Sequence, residues 1–289
     1  MSGSRIKTLV IAALVLLNLF FLTVIIIDAA ADSQNERQAI INVCAVLRGG
    51  GLEINPENIK ADNSLRIMRT TRADIAEETI VRAILGPTDM TVSGVIHLYE
   101  NPERGTAEFY SGGDFEIKLI AGLPVGEQGF VGFVRDLLKK MALEVSDIIP
   151  GDQPGGGTVT AVSSYRGISI INCTIEFIFS DNVLQTVKGR YVTVVEPLED
   201  SASLSHVGTA LLSFLTAVRS DEREDVVCSR IDSVVAGYQH HVVGTFGEDV
   251  IIPVWIVMTD AGRYIVVDST GEVLPVIQGT ESQGLRIVR

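Results

Sequence analysis

The sequence predicts an α+β protein: an N-terminal transmembrane helix followed by an ectodomain of two subdomains, each an antiparallel sheet with a helix. Three observations predict this. Leu9 to Ile27 is a run of nineteen residues without a formal charge, in which only Asn18 and Thr23 are polar. Beyond it, short segments alternate apolar and polar residues between Gly, Asn, Asp and Pro turns, the period-2 signature of strands in hairpins. Two longer segments, near 128–143 and 204–218, carry apolar residues at helical spacing instead.

At helical rise the first run spans about 28 Å, close to the ~30 Å hydrocarbon core of a bilayer. Arg5 and Lys7 precede it without a nearby acid, while Asp28, Asp32 and Glu36 follow it. The basic flank stays in the cytoplasm, so a tail at 1–8, a helix at 9–27 and an extracytoplasmic remainder are expected at the cell membrane. The main alternative is a cleaved secretory signal, since Ala29-Ala30-Ala31 offers an Ala-x-Ala site. Signal cores are usually ~7–15 residues, shorter than this run, and both readings export the rest. Asn18 is the candidate partner-binding residue. Interhelical amide bonds in a bilayer contribute about 0.6–2 kcal/mol, so Asn18 either docks onto a partner's membrane helix or bonds its own helix or a chance neighbour.

Gln34 to Arg48 reads as a helix with Ile40, Val43, Cys44 and Leu47 on one stripe, stopped by Gly49-Gly50-Gly51. Leu52 to Pro56 is extended, Leu65 to Arg69 a short strand, and Ala73 to Leu85 a helix ending at Gly86-Pro87. Val92 to Tyr99 reads as one strand. Thr106 to Tyr110 and Phe115 to Leu119 flank Gly112-Gly113-Asp114, a hairpin signal. The helix at 128–143 follows. Pro150 to Gly157 (PGDQPGGG) is the clearest break and divides a first subdomain, 28–149, from a second, 158–289. In the second, Thr158 to Ser164, Ile168 to Phe179 and Val183 to Val195 form a meander, with Ile171, Cys173, Ile175, Phe177 and Phe179 on one face. The helix Leu204 to Val218, an extended stretch around Ile231 to Tyr238, and a hairpin of Val250 to Thr259 with Tyr264 to Asp268 complete the chain. Short turns between consecutive strands favour antiparallel pairing.

The formal net charge is −13 and the basic residues form no Lys/Arg block, so nucleic acid is not an expected partner. Cys44, Cys173 and Cys228 are odd in number and form no CxxC pair; small buried apolar positions explain them, and one disulfide outside the cell stays open. His97, His206, His240 and His241 make no HxH or HExxH arrangement, and the adjacent pair points to opposite faces of a strand, so no metal site is expected. No GxSxG elbow occurs. Ser4-Arg5-Ile6-Lys7 matches SxxK by chance in the tail, and neither Gly49–Gly51 nor Gly155–Gly157 leads into a P-loop Lys. Asp268-Ser269-Thr270-Gly271 imitates an aspartic-protease motif with one residue too many and no second copy, and reads as a turn. No catalytic residue and no cofactor is expected.

Two stretches resemble a known family. The basic tail before Ile11-Ala12-Ala13-Leu14-Val15-Leu16-Leu17-Asn18-Leu19-Phe20 resembles the start of YycI proteins. The run Ile252-Pro253-Val254-Trp255 to Thr270-Gly271-Glu272-Val273 resembles their last hairpin, with Pro-Val-Trp, Thr-Asp-x-Gly, a Tyr-containing strand and Thr-Gly-Glu; Ile231 and Gly237-Tyr238 also fit. This ending is shared with PepSY-like exported domains. The resemblance implies a non-enzymatic regulator that works with a YycH-like companion beside the sensor histidine kinase YycG (WalK) of Gram-positive bacteria, which governs cell-wall metabolism. It implies no catalytic residues, and it places Trp255 under the hairpin against the helix at 204–218. The competing expectation is an extracytoplasmic PepSY-like module that inhibits or assists a cell-surface protease or wall hydrolase.

Overall fold

The computed structural model describes residues 34–60, 64–71, 74–151, 155–198, 204–220, 228–242, 249–267 and 271–276, together with Asn18. They form a mixed α+β structure with four helices and one large, branched sheet.

Helix α1 covers 34–49. Ile40, Cys44 and Leu47 are buried along its stripe, and the Gly50 and Leu52 amides close its last turn on the Val46 and Leu47 carbonyls. Strands β1 (Glu53–Ile54) and β2 (Ile59–Lys60) follow, separated by a turn that the Asn55 side chain caps by accepting from the Glu57 amide. Both pair in parallel with β13 (Arg230–His241), from the far end of the chain. The antiparallel expectation concerns consecutive strands joined by short turns, and those pairs are antiparallel; β1 and β2 reach β13 from far along the sequence and need no tight turn.

Strand β3 (Met68–Thr71) precedes helix α2 (Asp74–Leu85). The segment read as one strand from Val92 is a hairpin, β4 (Asp89–Ser93) and β5 (Ile96–Asn101), turning at Gly94-Val95. Gly94 sits at φ +64°, the left-handed conformation that the first position of a two-residue turn requires. Strands β6 (Gly105–Phe109) and β7 (Asp114–Pro124) form the hairpin expected around Gly112-Gly113. A Cβ on Gly113 would lie 2.5 Å from the Tyr191 carbonyl, so this glycine is also a contact between strands. Helix α3 (Gly129–Lys140) ends before Ala142, which adopts φ +55°. Then come β8 (Val145–Pro150), β9 (Gly157–Tyr165), β10 (Ile168–Ser180), β11 (Val183–Arg190), β12 (Thr193–Pro197), helix α4 (Val207–Arg219), and after β13 the strands β14 (Val250–Thr259), β15 (Arg263–Val267) and β16 (Glu272–Pro275).

The main path through the sheet runs β12-β3-β14-β13-β10-β11-β7-β6-β5-β4, with β15 and β16 beyond β14 and β9 and β8 beside β10. Two large cores lie on it. A middle core joins α2 and α3 to β5–β11, with Ile84, Phe109, Phe115, Ile117, Leu138, Ile175 and Phe177 among its buried residues. A terminal core joins α1 and α4 to β1, β2 and β13–β16, with Leu47, Leu52, Leu211, Phe214, Val234, Trp255 and Val266. Strand β14 is buried along nearly its whole length, which explains its unbroken apolar run.

The cores do not divide at Pro150–Gly157. Strand β8 pairs antiparallel with β9 across that segment, from Val145 opposite Ser163 to Pro150 opposite Val159. The Gly and Pro residues fall in the connection between these two neighbouring strands. The middle core is enclosed in sequence by the two halves of the terminal one. Among the described residues no helix is long and apolar enough to cross a membrane, and the 9–27 run lies outside them except for Asn18.

Candidate interaction surface and the buried polar seam

The two cores meet along β10. Its register against β9 shifts between Ser169 and Thr174, so the strand bulges there. Beyond the bulge it pairs with β11, while within the shifted stretch Ile170 pairs in parallel with Tyr238 of β13. Asn172 completes the stitch. Its amide donates to the His240 carbonyl and accepts from the His240 N–H, both at 2.7 Å, so a side chain stands in for a missing strand residue.

Charged and titratable groups gather at this seam. Arg190, at the end of β11, donates from Nε and Nη2 to the two oxygens of Asp114 at 3.0 and 2.7 Å; the two residues are cross-strand partners between β11 and β7. This two-pronged geometry suits a planar guanidinium and a carboxylate. Burial works against the Arg190 charge, but the Asp114 hydrogen bonds outweigh it and raise its pKa. The His240 side chain is fully enclosed, and among the described residues neither ring nitrogen has a hydrogen-bond partner. Burial, assisted by the positive charge of Arg190 and by His241, pushes its pKa down to about 4. Asp249 lies 3.7 Å from His240 Nε2, beyond hydrogen-bond reach, and with the ring neutral the two do not form an ion pair. Burial raises the Asp249 carboxyl pKa, opposed by Arg190.

The seam holds a Cys, a His and an Asp, the residue types of a nucleophile, a base and its orienter. The chemistry runs the other way. Burial pushes the Cys173 thiol up to about 12, whereas a nucleophilic thiol needs a lowered pKa and access. The adjoining cleft is lined by Thr70, Glu77, Phe109, Phe115, Tyr191 and Asp249 and leaves only about 20 Å³ for the centre of a water molecule. That admits one or two waters, far below the ~300 Å³ of a small-molecule site. Among the described residues no group of three His, Cys, Asp or Glu side chains is placed to hold a metal ion.

A different feature stands at the free end of the sheet. Among the described residues strand β4 pairs only with β5, and all five of its residues are exposed. Met90 lies opposite Tyr99, and across the sheet Tyr99 faces Ala107 and Ala107 faces Ile117. Val92 continues in the same way into His97, Phe109 and Phe115. Directly opposed residues share one face of a sheet. Met90 and Val92 therefore belong to the face that is the middle core further in. Helix α2 reaches as far as β5, where Glu77 accepts from Tyr99 Oη at 3.4 Å and lies 2.8 Å from His97 Nδ1. Beyond β5 the face is open: Met90 is 52% and Val92 54% exposed, with Val95 beside them at 63%. On the opposite face Asp89 stands directly across from Glu100. Glu100 also borders an open depression of about 370 Å³ with Thr106, Lys118 and Ile120.

The residues singled out from sequence are dispersed. Asn18 is helical and exposed, and its neighbours lie outside the described residues. Trp255 is fully buried in one core with Val207, Leu211 and Phe214 of α4, and its Nε1 donates to the Ser205 carbonyl at 3.1 Å. His206 caps α4 by accepting from the Gly208 amide, and His241 Nε2 lies 3.1 Å from Gln239 Oε1. His240 is enclosed, and among the described residues neither of its ring nitrogens is hydrogen-bonded. The three cysteines are free thiols, Cys44 and Cys173 buried and Cys228 partly so. Asp268, Ser269 and Thr270 lie outside the described residues, as do Ser4 to Lys7; Gly271 takes φ +66° and donates to the Val267 carbonyl. Arg190 and Asp249 carried no motif, Asp114 was read only as part of the Gly112-Gly113-Asp114 turn, and the strand read from Val92 took in only the last two residues of β4. The one local sign of β4's edge position was its company of Gly94 and exposed polar residues.

No family model and no curated protein matches the chain. Among solved structures it is similar to an uncharacterized protein from Eubacterium rectale ATCC 33656, at 11% identity over 75% of this chain and 85% of that one, with a TM-score of 0.44. A likeness this distant carries neither fold nor function across.

Proposed function

We propose that this chain is a non-enzymatic binding protein, anchored in the cell membrane through 9–27, which modulates a YycG/WalK-like sensor histidine kinase together with a YycH-like companion. The observation that carries the binding reading is the uncovered apolar row of β4, where the face of a packed core continues into solvent as Met90 and Val92. Side chains that bury about 1.5–3 kcal/mol each when covered are ordinarily kept under a helix. The kinase as partner rests on the N-terminal and C-terminal stretches that resemble YycI proteins. The regulation is a population shift: the ectodomain prefers one arrangement of the complex, and the membrane helix, through Asn18, passes that preference to the kinase's own helices.

The test is co-purification of the full-length chain from native membranes, with identification of what comes with it. A sensor kinase and a YycH-like protein are expected, and Asn18→Leu reduces their recovery while the chain still inserts. Recovery of neither rejects the reading. Recovery of a surface protease or a wall hydrolase in their place supports the PepSY-like alternative.

A further inference from the structure

We propose that β4 receives an extended segment of a partner protein as an added strand, and that this segment alternates apolar residues with Lys or Arg. The proposal rests on the binding-protein reading and names the chemistry of its occupant.

Edge strands are normally blunted by a Lys, a Pro, a bulge or a covering element. Among the described residues Asp89–Ser93 has none of these, and its one charge is Asp89: its sequence is DMTVS, and its register against β5 is unbroken from Asp89 to Ser93. An unprotected edge offers unpaired backbone N–H and C=O groups, the feature through which sheets accept a peptide. The two faces of β4 then set the occupant's side chains. On one face, residues opposite Met90 and Val92 extend the row that runs inward to Phe115 and Ile117, so they are apolar. On the other, Asp89 and Glu100 are directly opposed carboxylates, and neither makes an ion pair among the described residues. Like charges so placed destabilise a ladder, and a Lys or Arg beside Asp89 relieves them. A second copy of this chain is a poor occupant. It would bring another net charge of −13 and no basic residue on the matching strand.

The experiment titrates the full-length chain in non-ionic detergent with the blocked peptide Val-Lys-Val-Lys-Val-Lys, following labelled-peptide anisotropy and amide exchange of the protein. Binding with slowed exchange at 89–93 is expected, and Val-Glu-Val-Glu-Val-Glu does not bind. Val92→Asp separates the strand from simple charge attraction. Added negative charge strengthens non-specific binding of a cationic peptide, whereas a polar residue in the apolar row weakens an added strand by about tenfold or more. Asp89→Asn weakens binding and flattens its salt dependence. Absence of binding, unchanged or tighter binding by Val92→Asp, or protection elsewhere overturns the proposal. Self-association of the chain that Val92→Asp abolishes overturns it in favour of a second copy. If native partners still co-purify with Val92→Asp, the binding reading survives and this site falls; if the peptide binds β4 but no partner is recovered, the reverse holds.

Discussion

The two cores are built from similar parts, two helices on a sheet, but assembled in opposite ways. The middle core grows from hairpins between consecutive strands, β4 through β7 and β8 through β11, with α2 before the first run and α3 between the two. It is rich in aromatic contacts, including Phe109 stacked on Phe115 at 5.2 Å and Phe130 on Phe179 at 4.5 Å. The terminal core closes only when 34–60 returns to strands beyond 230, through the parallel pairs of β1 and β2 with β13. Loop closure must be met before such contacts stabilise anything. The lesson is that one core can form locally while the other depends on the whole chain being in place.

The sharpest way to break that contrast is to open a cavity in each. Trp255→Ala and Phe177→Ala both remove a fully buried aromatic side chain, and each should cost about 3–5 kcal/mol. Their reach should differ. Trp255→Ala also leaves the Ser205 carbonyl without its donor, and it loosens the sheet on which β1 and β2 depend. Native-state hydrogen exchange should then show α1, β1, β2 and β13–β15 losing protection together while β5–β7 keep theirs. Equal loss in both cores would show a single cooperative unit.

The same contrast explains what the sequence disclosed. The α+β class, the four helices of the described residues to within a few residues, and the Gly112-Gly113 hairpin were legible because periodicity and turn chemistry are local. Trp255 was placed beneath its hairpin for a similar reason, from a resemblance spanning contiguous residues. The pairing of Ile59 with Val234, the Asn172 clasp on His240 and the Arg190–Asp114 pair were not legible. Each joins residues far apart in sequence, and none imposes a period. Pro150–Gly157 shows the limit of composition: Gly and Pro mark a chain reversal equally well between strands or between domains. Of the candidate site, only Val92 fell inside a strand read from sequence; Met90 was not singled out, and that no helix covers either among the described residues was a tertiary fact.

The seam between the cores should respond to acid. In the unfolded chain His240 takes up a proton near pH 6.5, whereas in the folded chain its ring stays neutral down to about pH 4. The folded pKa is depressed, so the contribution is fully present above pH 6.5 and is lost as pH falls toward 4, by up to about 3 kcal/mol. Asp249, whose folded pKa is raised, offsets part of this at the acid end by accepting its proton earlier than the unfolded chain does. Denaturant unfolding at pH 7 and pH 4.5 should show the loss, and His240→Leu should remove most of it. At neutral pH that substitution should cost little, because the ring nitrogens make no hydrogen bonds to forfeit. A slope that persists in His240→Leu would move the effect to another group.

The smallest expected effect gives the finest comparison, because it is made within a single row of side chains. Val92 and Phe109 lie on one face of the same sheet, separated by His97 on β5. Phe109 is 3% exposed and stacked on Phe115; Val92 is 54% exposed and lies past the last helix. Phe109→Ala should cost about 3–5 kcal/mol. Val92→Ala should change the stability of the isolated chain by less than about 0.5 kcal/mol, since little surface changes its exposure. In the presence of whatever covers β4, Val92 becomes an inner member of the row, and the same substitution should weaken that complex measurably. Chemical denaturation of the chain alone, set beside affinity for the bound partner, reads both numbers. A large intrinsic cost for Val92→Ala would mean that β4 is already packed, and its apolar face would no longer be available to a second chain.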